Sequence, residues 1–214
     1  PDPAAVSSVV PAPPGSVRCD YTATPAQPAP AGHDVGVPAG VESKTGTVNV
    51  VLHTSQGDIP VAMSRAAAPC TVGSFAHLAG KGYFNQSPCH RLTAAASLKV
   101  LQCGDPTGTG TGGPGYTIPD ENPANLPSAG QASLYARGTV AMANTGQPHS
   151  GGSQFFLVYA DSQLPPSYAV FGQVSAVGLK VLDKVAAGGV APGGGDPQDG
   201  SPAVRVTITS TTVG

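Results

Sequence analysis

The sequence predicts a mainly β protein, a closed antiparallel barrel whose ends are plugged by two α-helices, behind an extended Pro/Ala-rich segment. Three observations carry that expectation. From Thr47 onward, short runs with apolar residues at every second position alternate with turns rich in Gly, Pro, Asn and Ser, as in proteins built of many short strands. Two stretches place apolar residues three and four apart, which is helical spacing. Residues 1–45 hold nine of the 23 prolines and show no sustained apolar period, so they bury too little surface to offset their ordering entropy.

The chain therefore divides into residues 1–45, a largely irregular tether with Cys19 as its one fixed point, and a folded domain over residues 46–214. The domain opens with Thr47 to Thr54, turns at Ser55-Gln-Gly-Asp58 and returns through Ile59 to Met63, a hairpin pattern. Pro69 suits a first helical turn, and Val72, Phe75, Ala76 and Ala79 form an apolar stripe that Gly80 ends. Short strands follow around Cys89–Thr93 and Val100–Cys103. Gly138 to Phe156 reads as a strand with Val140 and Met142 on one face, a break at Asn144-Thr145-Gly146, and a second strand from Gln154. In that second strand, alternation puts Gln154, Phe156 and Val158 on one face and Phe155, Leu157 and Tyr159 on the other. Ala169–Val174 is a further strand. Val177, Val181, Leu182 and Val185 then form a second helical stripe between Ser175 as N-cap and Gly188 as C-cap, and Val204, Val206 and Ile208 alternate in a last strand.

With 214 residues and 40% hydrophobic content, the chain suits one domain with an appendage. Its net charge of −2 argues against a nucleic-acid partner, which would favour a basic face. Only 10% of residues are charged, a balance that fits an extracytoplasmic protein, secreted or anchored at the membrane or wall. No apolar run approaches the roughly 20 residues of a membrane-spanning helix. The sequence starts at Pro1 without an initiator Met, which points to removal of a preceding piece, and an export signal or membrane tether upstream would leave no trace in these residues.

Gly104 to Gly115 superficially suggests a phosphate loop, but no Gly-Lys-Ser/Thr follows and no helix opens after it. It reads as a surface loop beside the site. His149 near Ser153 invites a hydrolase reading, yet there is no nucleophile elbow and no assigned acid.

Met142-Ala-Asn144 and Gly152-Ser-Gln-Phe-Phe156, with Cys89-His-Arg-Leu92, Leu101-Gln-Cys-Gly-Asp105 and Tyr168-Ala-Val-Phe-Gly172, resemble the cyclophilin family of peptidyl-prolyl cis-trans isomerases. The resemblance runs from about Thr47 to the C-terminus and is strongest toward the extracytoplasmic members of mycobacteria and their relatives. It implies eight barrel strands, no cofactor and no metal. It also implies acceleration of rotation about X-Pro bonds in exported or envelope proteins, with proline-containing peptides and unfolded client proteins as partners. The resemblance makes Arg91 the catalytic group and Phe156 the floor of the proline pocket. Gln102 and Gln154 flank Arg91, Ala143 and Asn144 offer backbone groups, and Val100, Leu164 and Tyr168 complete the substrate site.

Three positions depart from eukaryotic members: Gln163 stands where they carry Trp, Tyr168 where they carry His, and Lys99 where Phe is common. Loss of the indole implies weak cyclosporin binding, if any. The alternative reading is a non-catalytic proline-peptide-binding or chaperone module of the cell envelope, which would not need Arg91.

Four cysteines allow three pairings. If Arg91 and Gln102 share a face, alternation puts Cys89 on that face and Cys103 on the opposite one, so a direct bridge between them is disfavoured. The expected pairs are Cys70 with Cys89 and Cys19 with Cys103. Four reduced thiols are the alternative, and a zinc site lacks the C-x-x-C or H-x-x-x-H spacing.

Overall fold

The computed structural model describes residues 11–25 and 28–214. Its core is one antiparallel sheet that curls on itself. Eight strands make up most of it: β1 (Thr47–Thr54), β2 (Gly57–Ser64), β3 (Arg91–Thr93), β4 (Val100–Cys103), β5 (Thr139–Met142), β6 (Phe155–Val158), β7 (Val170–Val174) and β8 (Thr207–Val213). They lie in the order β3-β4-β6-β5-β7-β2-β1-β8. The two-residue strands Asp199–Gly200 and Ser87–Pro88 pair with the outer sides of β3 and β8. Because Pro88 leads through Cys89 and His90 directly into Arg91, the chain itself spans the gap between the two ends of the ladder.

Helix α1 (Pro69–Gly80) buries Val72, Phe75, Leu78 and Ala79, close to the expected stripe. No side chain of the preceding residue caps it. The Glu121 carboxylate does so from a distant loop, accepting from Cys70 N at 2.9 Å and Thr71 N at 2.8 Å, where free N–H groups and the helix dipole favour an anion. Phe75 packs against Phe84, Phe155 and Phe171 in the main core.

Helix α2 (Ala176–Ala187) starts as expected, with the Ser175 hydroxyl accepting from Gly178 N at 3.2 Å. Its buried face differs by one position. Gly178, Leu182 and Val185 point inward, and Val177 is left 60% exposed. The cause is close approach: a Cβ on Gly178 would lie 2.7 Å from Val174 Cγ1 and 3.0 Å from Ile59 Cγ2, so the glycine, not the valine beside it, faces the sheet.

The described part of the N-terminal segment carries only two- and three-residue strands. Its residues 1–10 and 26–27 lie outside the described residues, but the remainder docks on the domain. Ser16–Arg18 pairs with Val41–Ser43, and Thr22–Ala23 pairs with Tyr116–Thr117. Cys19 is bonded to Cys70 at the start of α1, and Tyr21 donates its hydroxyl to Cys70 O at 2.8 Å. The Glu42 carboxylate lies over Gly73, where a Cβ would come within 2.1 Å of it, and meets Arg65 Nη1 at 3.3 Å. A disulfide, half-buried polar contacts and the packing of Tyr21, Ala29 and Val35 on the main core thus hold the segment.

The disulfides correct the expected pairing: Cys19 joins Cys70 and Cys89 joins Cys103. Arg91 and Gln102 do share a face, as registered partners. The error lies in extending strand alternation upstream of Arg91. Cys89 and His90 are not in a strand, so Cys89 turns into the core beside Cys103, with their Cα atoms 4.0 Å apart.

Candidate active site

One row of residues crosses four strands on the outer face of the sheet. Arg91 in β3 is registered with Gln102 in β4, Gln102 with Phe156 in β6, and Phe156 with Ala141 in β5. Directly registered residues of antiparallel strands project from the same face, and neighbouring strands lie roughly 4.8 Å apart. Arg91 is therefore two strands from Phe156 with Gln102 between them.

The alternation of β6 makes this possible. Phe155 and Leu157 enter the main core, while Phe156 and Val158 join a separate cluster with Val100, Tyr135 and Ala141. Ala143, Leu164 and Tyr168 pack against that cluster, half-buried. The Phe156 ring meets Tyr168 edge-on at 5.5 Å between centroids. Apolar and aromatic side chains on one side and the guanidinium on the other form an amphipathic strip in which Phe156 is 5% exposed and the Arg91 side chain 39%.

Arg91 is held from two directions. Its Nε donates to Asp199 Oδ1 at 2.7 Å and its Nη2 to Asp199 Oδ2 at 2.6 Å, while Nη1 donates to Gln102 Oε1 at 3.1 Å. These bonds use three of the five guanidinium N–H groups. The hydrogen bonds to Asp199 raise the Arg91 pKa further, and those same bonds hold the Asp199 carboxyl below its usual range.

The network continues away from Arg91. Gln102 Nε2 donates to Gln154 Oε1 at 2.9 Å, and Gln154 Nε2 donates to the carbonyls of Gly110 and Gly112 at 2.9 and 3.0 Å. Those carbonyls belong to the glycine loop, which is wound around buried Asp105. The Asp105 carboxylate accepts from Thr107 N at 2.8 Å, Gly110 N at 2.7 Å and Gly112 N at 3.1 Å. Burial raises its pKa, but the bonds from Thr107, Gly112 and Gly110 outweigh that and leave it below the ordinary value. The loop thus directs its N–H groups at a carboxylate of its own chain.

Beside this row lies a groove of about 370 Å³, lined by Gln102, Gln154, Ala143, Asn144 and the loop at Gly110–Pro114, with Thr24 of the N-terminal segment at its rim. Phe156 is outside it, on the adjoining stretch of the same face. Ala143 N donates to Gln154 O at 2.9 Å, and Asn144 Nδ2 donates to Ser167 O at 2.8 Å. The latter bond ties the turn after β5 to the segment that carries Tyr168.

Every substrate-site residue expected from the sequence falls on this face. Gln163 is exposed in a short strand (Ser162–Leu164), where its backbone N donates to Ser97 O at 2.8 Å. Sequence reasoning missed Asp199 and Tyr135. Buried Tyr135 donates to Pro165 O at 3.0 Å and accepts from Tyr168 N at 3.3 Å, fixing the Tyr168 segment. Nothing in Ala-Ser-Leu-Tyr distinguishes it from an ordinary core tyrosine. His149 and Ser153 do not pair: His149 Nδ1 accepts from Asp120 N, and the buried Ser153 hydroxyl is bonded to Tyr83. Among the described residues no group of three or more His, Cys, Asp or Glu side chains is arranged to hold a metal ion.

A family model described as cyclophilin type peptidyl-prolyl cis-trans isomerase/CLD matches residues 49–213. A probable peptidyl-prolyl cis-trans isomerase B of Mycobacterium leprae is 50% identical over 205 residues, 91% of this chain and 66% of that protein. Its counterpart in Mycobacterium tuberculosis is 52% identical over 168 residues, 76% of this chain and 53% of that protein. The chain thus spans between about half and two thirds of these curated relatives. A Cryptosporidium parvum cyclophilin type peptidyl-prolyl cis-trans isomerase superposes with a TM-score of 0.60 at 23% identity, covering 79% of this chain and 98% of that one. A second structure of that protein, determined in the presence of the dipeptide Ala-Pro, gives the same score at 24% identity, covering 78% of this chain and 98% of that one.

Proposed function

Since the chain belongs to the cyclophilin-type peptidyl-prolyl cis-trans isomerases, we propose that it accelerates rotation about X-Pro bonds in exported or envelope proteins, with Arg91 as the catalytic residue. The observation that carries the proposal is the row Arg91–Gln102–Phe156, which sets a fixed guanidinium beside an aromatic floor.

Rotation of the amide faces a barrier of roughly 18–20 kcal/mol because resonance is lost at the midpoint. No bond is made or broken, so a catalyst needs only to bind the twisted amide better than the planar one. At the midpoint the proline nitrogen recovers a lone pair. A guanidinium N–H directed at that nitrogen then makes a charge-assisted bond that the planar amide does not accept.

In this reading Phe156, with Val100, Leu164 and Tyr168, receives the proline ring. Gln102 and Gln154 hold Arg91 and meet the substrate carbonyl, and the backbone of Ala143 and Asn144 holds the flanking residues. The two disulfides support an oxidising, extracytoplasmic setting. The test is a protease-coupled assay of an X-Pro peptide, in which turnover without added metal or nucleotide and insensitive to EDTA is expected. Saturable peptide binding without turnover would instead establish a proline-binding module.

A further inference from the structure

Asp199 sits in a two-residue strand on the outer side of β3, registered with Thr93, while Gly200 is registered with Leu92. Ala94 N donates to Gln198 O at 2.8 Å, which fixes the chain just before it. Its carboxylate thus reaches the Arg91 side chain from a strand hydrogen-bonded to Arg91's own, with one oxygen on Nε and the other on Nη2.

We propose that Asp199 is a positioning residue for the isomerisation, clamping the guanidinium plane so that its remaining N–H groups face the proline nitrogen. The inference rests on the isomerase reading of Arg91. A guanidinium on a flexible stem samples many directions, and a donor that works only at the twisted midpoint must already be aligned when that state is reached. Two parallel bonds to one carboxylate fix both the direction and the plane of the group, as a single bond cannot. Gln102 cannot substitute for this, because it accepts from Nη1 alone. Asp199 is as exposed as Arg91, each side chain retaining 39% of its accessible surface, so the pair is not a core element whose loss must unfold the domain.

Asparagine at 199 keeps one acceptor but turns an amide N–H toward Nη2, so the plane is no longer held. The test measures kcat and KM of wild type, Asp199→Asn, Asp199→Glu, Arg91→Ala and the Arg91→Ala/Asp199→Asn double variant. Melting curves and the Arg91 Nε–H resonance in proton–nitrogen spectra are recorded alongside. Asp199→Asn is expected to lower kcat about tenfold with KM within about twofold, and to broaden or shift the Nε–H signal. Asp199→Glu should recover part of the loss. In the Arg91→Ala background Asp199→Asn should cost nothing further, since a residue acting through Arg91 has nothing left to act on.

Additive losses in the double variant, or kcat of Asp199→Asn within about twofold of wild type while Arg91→Ala is impaired, would overturn the role of Asp199 and leave the isomerase reading intact. Full turnover by Arg91→Ala would remove that reading and this inference together. If Asp199→Asn melts below the assay temperature, Asp199→Ser takes its place in the same cycle.

Discussion

Arg91 and Gln102 stand opposite each other in the register of β3 and β4, and the Gln102 side-chain oxygen accepts from Arg91 Nη1 at 3.1 Å. The Cys89–Cys103 bridge fixes the same pair of strands from the core side, two residues before Arg91 and one after Gln102. Both sulfurs are buried, so the bridge is expected to resist mild reductant in the folded state. Replacing both cysteines by serine removes a crosslink over 14 residues and is expected to cost about 3 kcal/mol of stability. The same variant should lose turnover beyond what partial unfolding explains, because the strand carrying Arg91 is loosened. Denaturant titration together with the X-Pro assay checks both.

The Cys19–Cys70 bridge, with a separation of 51 residues, offers the contrast. Its removal should cost about 4 kcal/mol on the same chain-entropy scale. Turnover on a short peptide should persist below the lowered melting temperature, because this bridge anchors the N-terminal segment to α1 and touches no residue of the Arg91 row. A loss of turnover at full folding would place that segment in the catalytic machinery.

Much of this was legible in the sequence, and the failures have particular causes. The Phe155/Phe156 alternation was readable because both faces of β6 are in use, one packed in the core and one in the site. The cysteine pairing failed because period two holds only within a strand, and the chain at Cys89 and His90 is irregular. Asp199 left no signal: it lies 108 residues from Arg91, in a Gly- and Pro-rich loop that resembles any surface turn. Cys19 was the one readable fixed point of the N-terminal segment; its further ties, Tyr21 to Cys70 O, Glu42 to Arg65, and His77 Nε2 beside the Val35 and Gly36 carbonyls, join residues far apart in the chain and leave no mark in local patterning.

His90 sets a pH dependence of stability. Burial lowers its pKa below the ordinary 6.5, and its Nδ1 is buried without a partner. The folded protein therefore resists a proton that the unfolded chain takes up near pH 6.5. The contribution to stability is complete above that value and is lost as pH falls through the lower folded pKa. Chemical denaturation at stepped pH should show stability declining from about pH 6.5 downward, with a shallower decline in His90→Asn. An unchanged slope in the variant would assign the decline to other groups.

Cyclosporin should bind far more weakly than to members that carry Trp at the position of exposed Gln163. An indole packed on the ligand contributes roughly 2 kcal/mol, or about thirtyfold in affinity. Gln163→Trp should recover part of that in calorimetry. Tight binding by the unmodified protein would show that the exposed strand at Ser162–Leu164 contributes little to that pocket.

Phe156→Ala separates the pocket from the catalytic donor. The ring is buried among Val100, Tyr135 and Tyr168, and its truncation is expected to cost about 3 kcal/mol of stability. If the ring receives the proline, it does so in both planar and twisted states, so peptide affinity and rate should fall together. Affinity unchanged at full folding would move the proline site elsewhere on the face.

The most direct test of the account is the effect of Arg91→Ala on rate and on ground-state binding, measured side by side with a melting curve. If the guanidinium bonds the proline nitrogen mainly in the twisted state, kcat/KM falls about 10²- to 10³-fold while peptide affinity changes little. Arg91→Lys should resemble the alanine variant, since a point charge on a flexible stem does not keep the fork geometry. Nearly full turnover by a folded Arg91→Ala protein would contradict the catalytic assignment and leave a proline-peptide-binding module in its place.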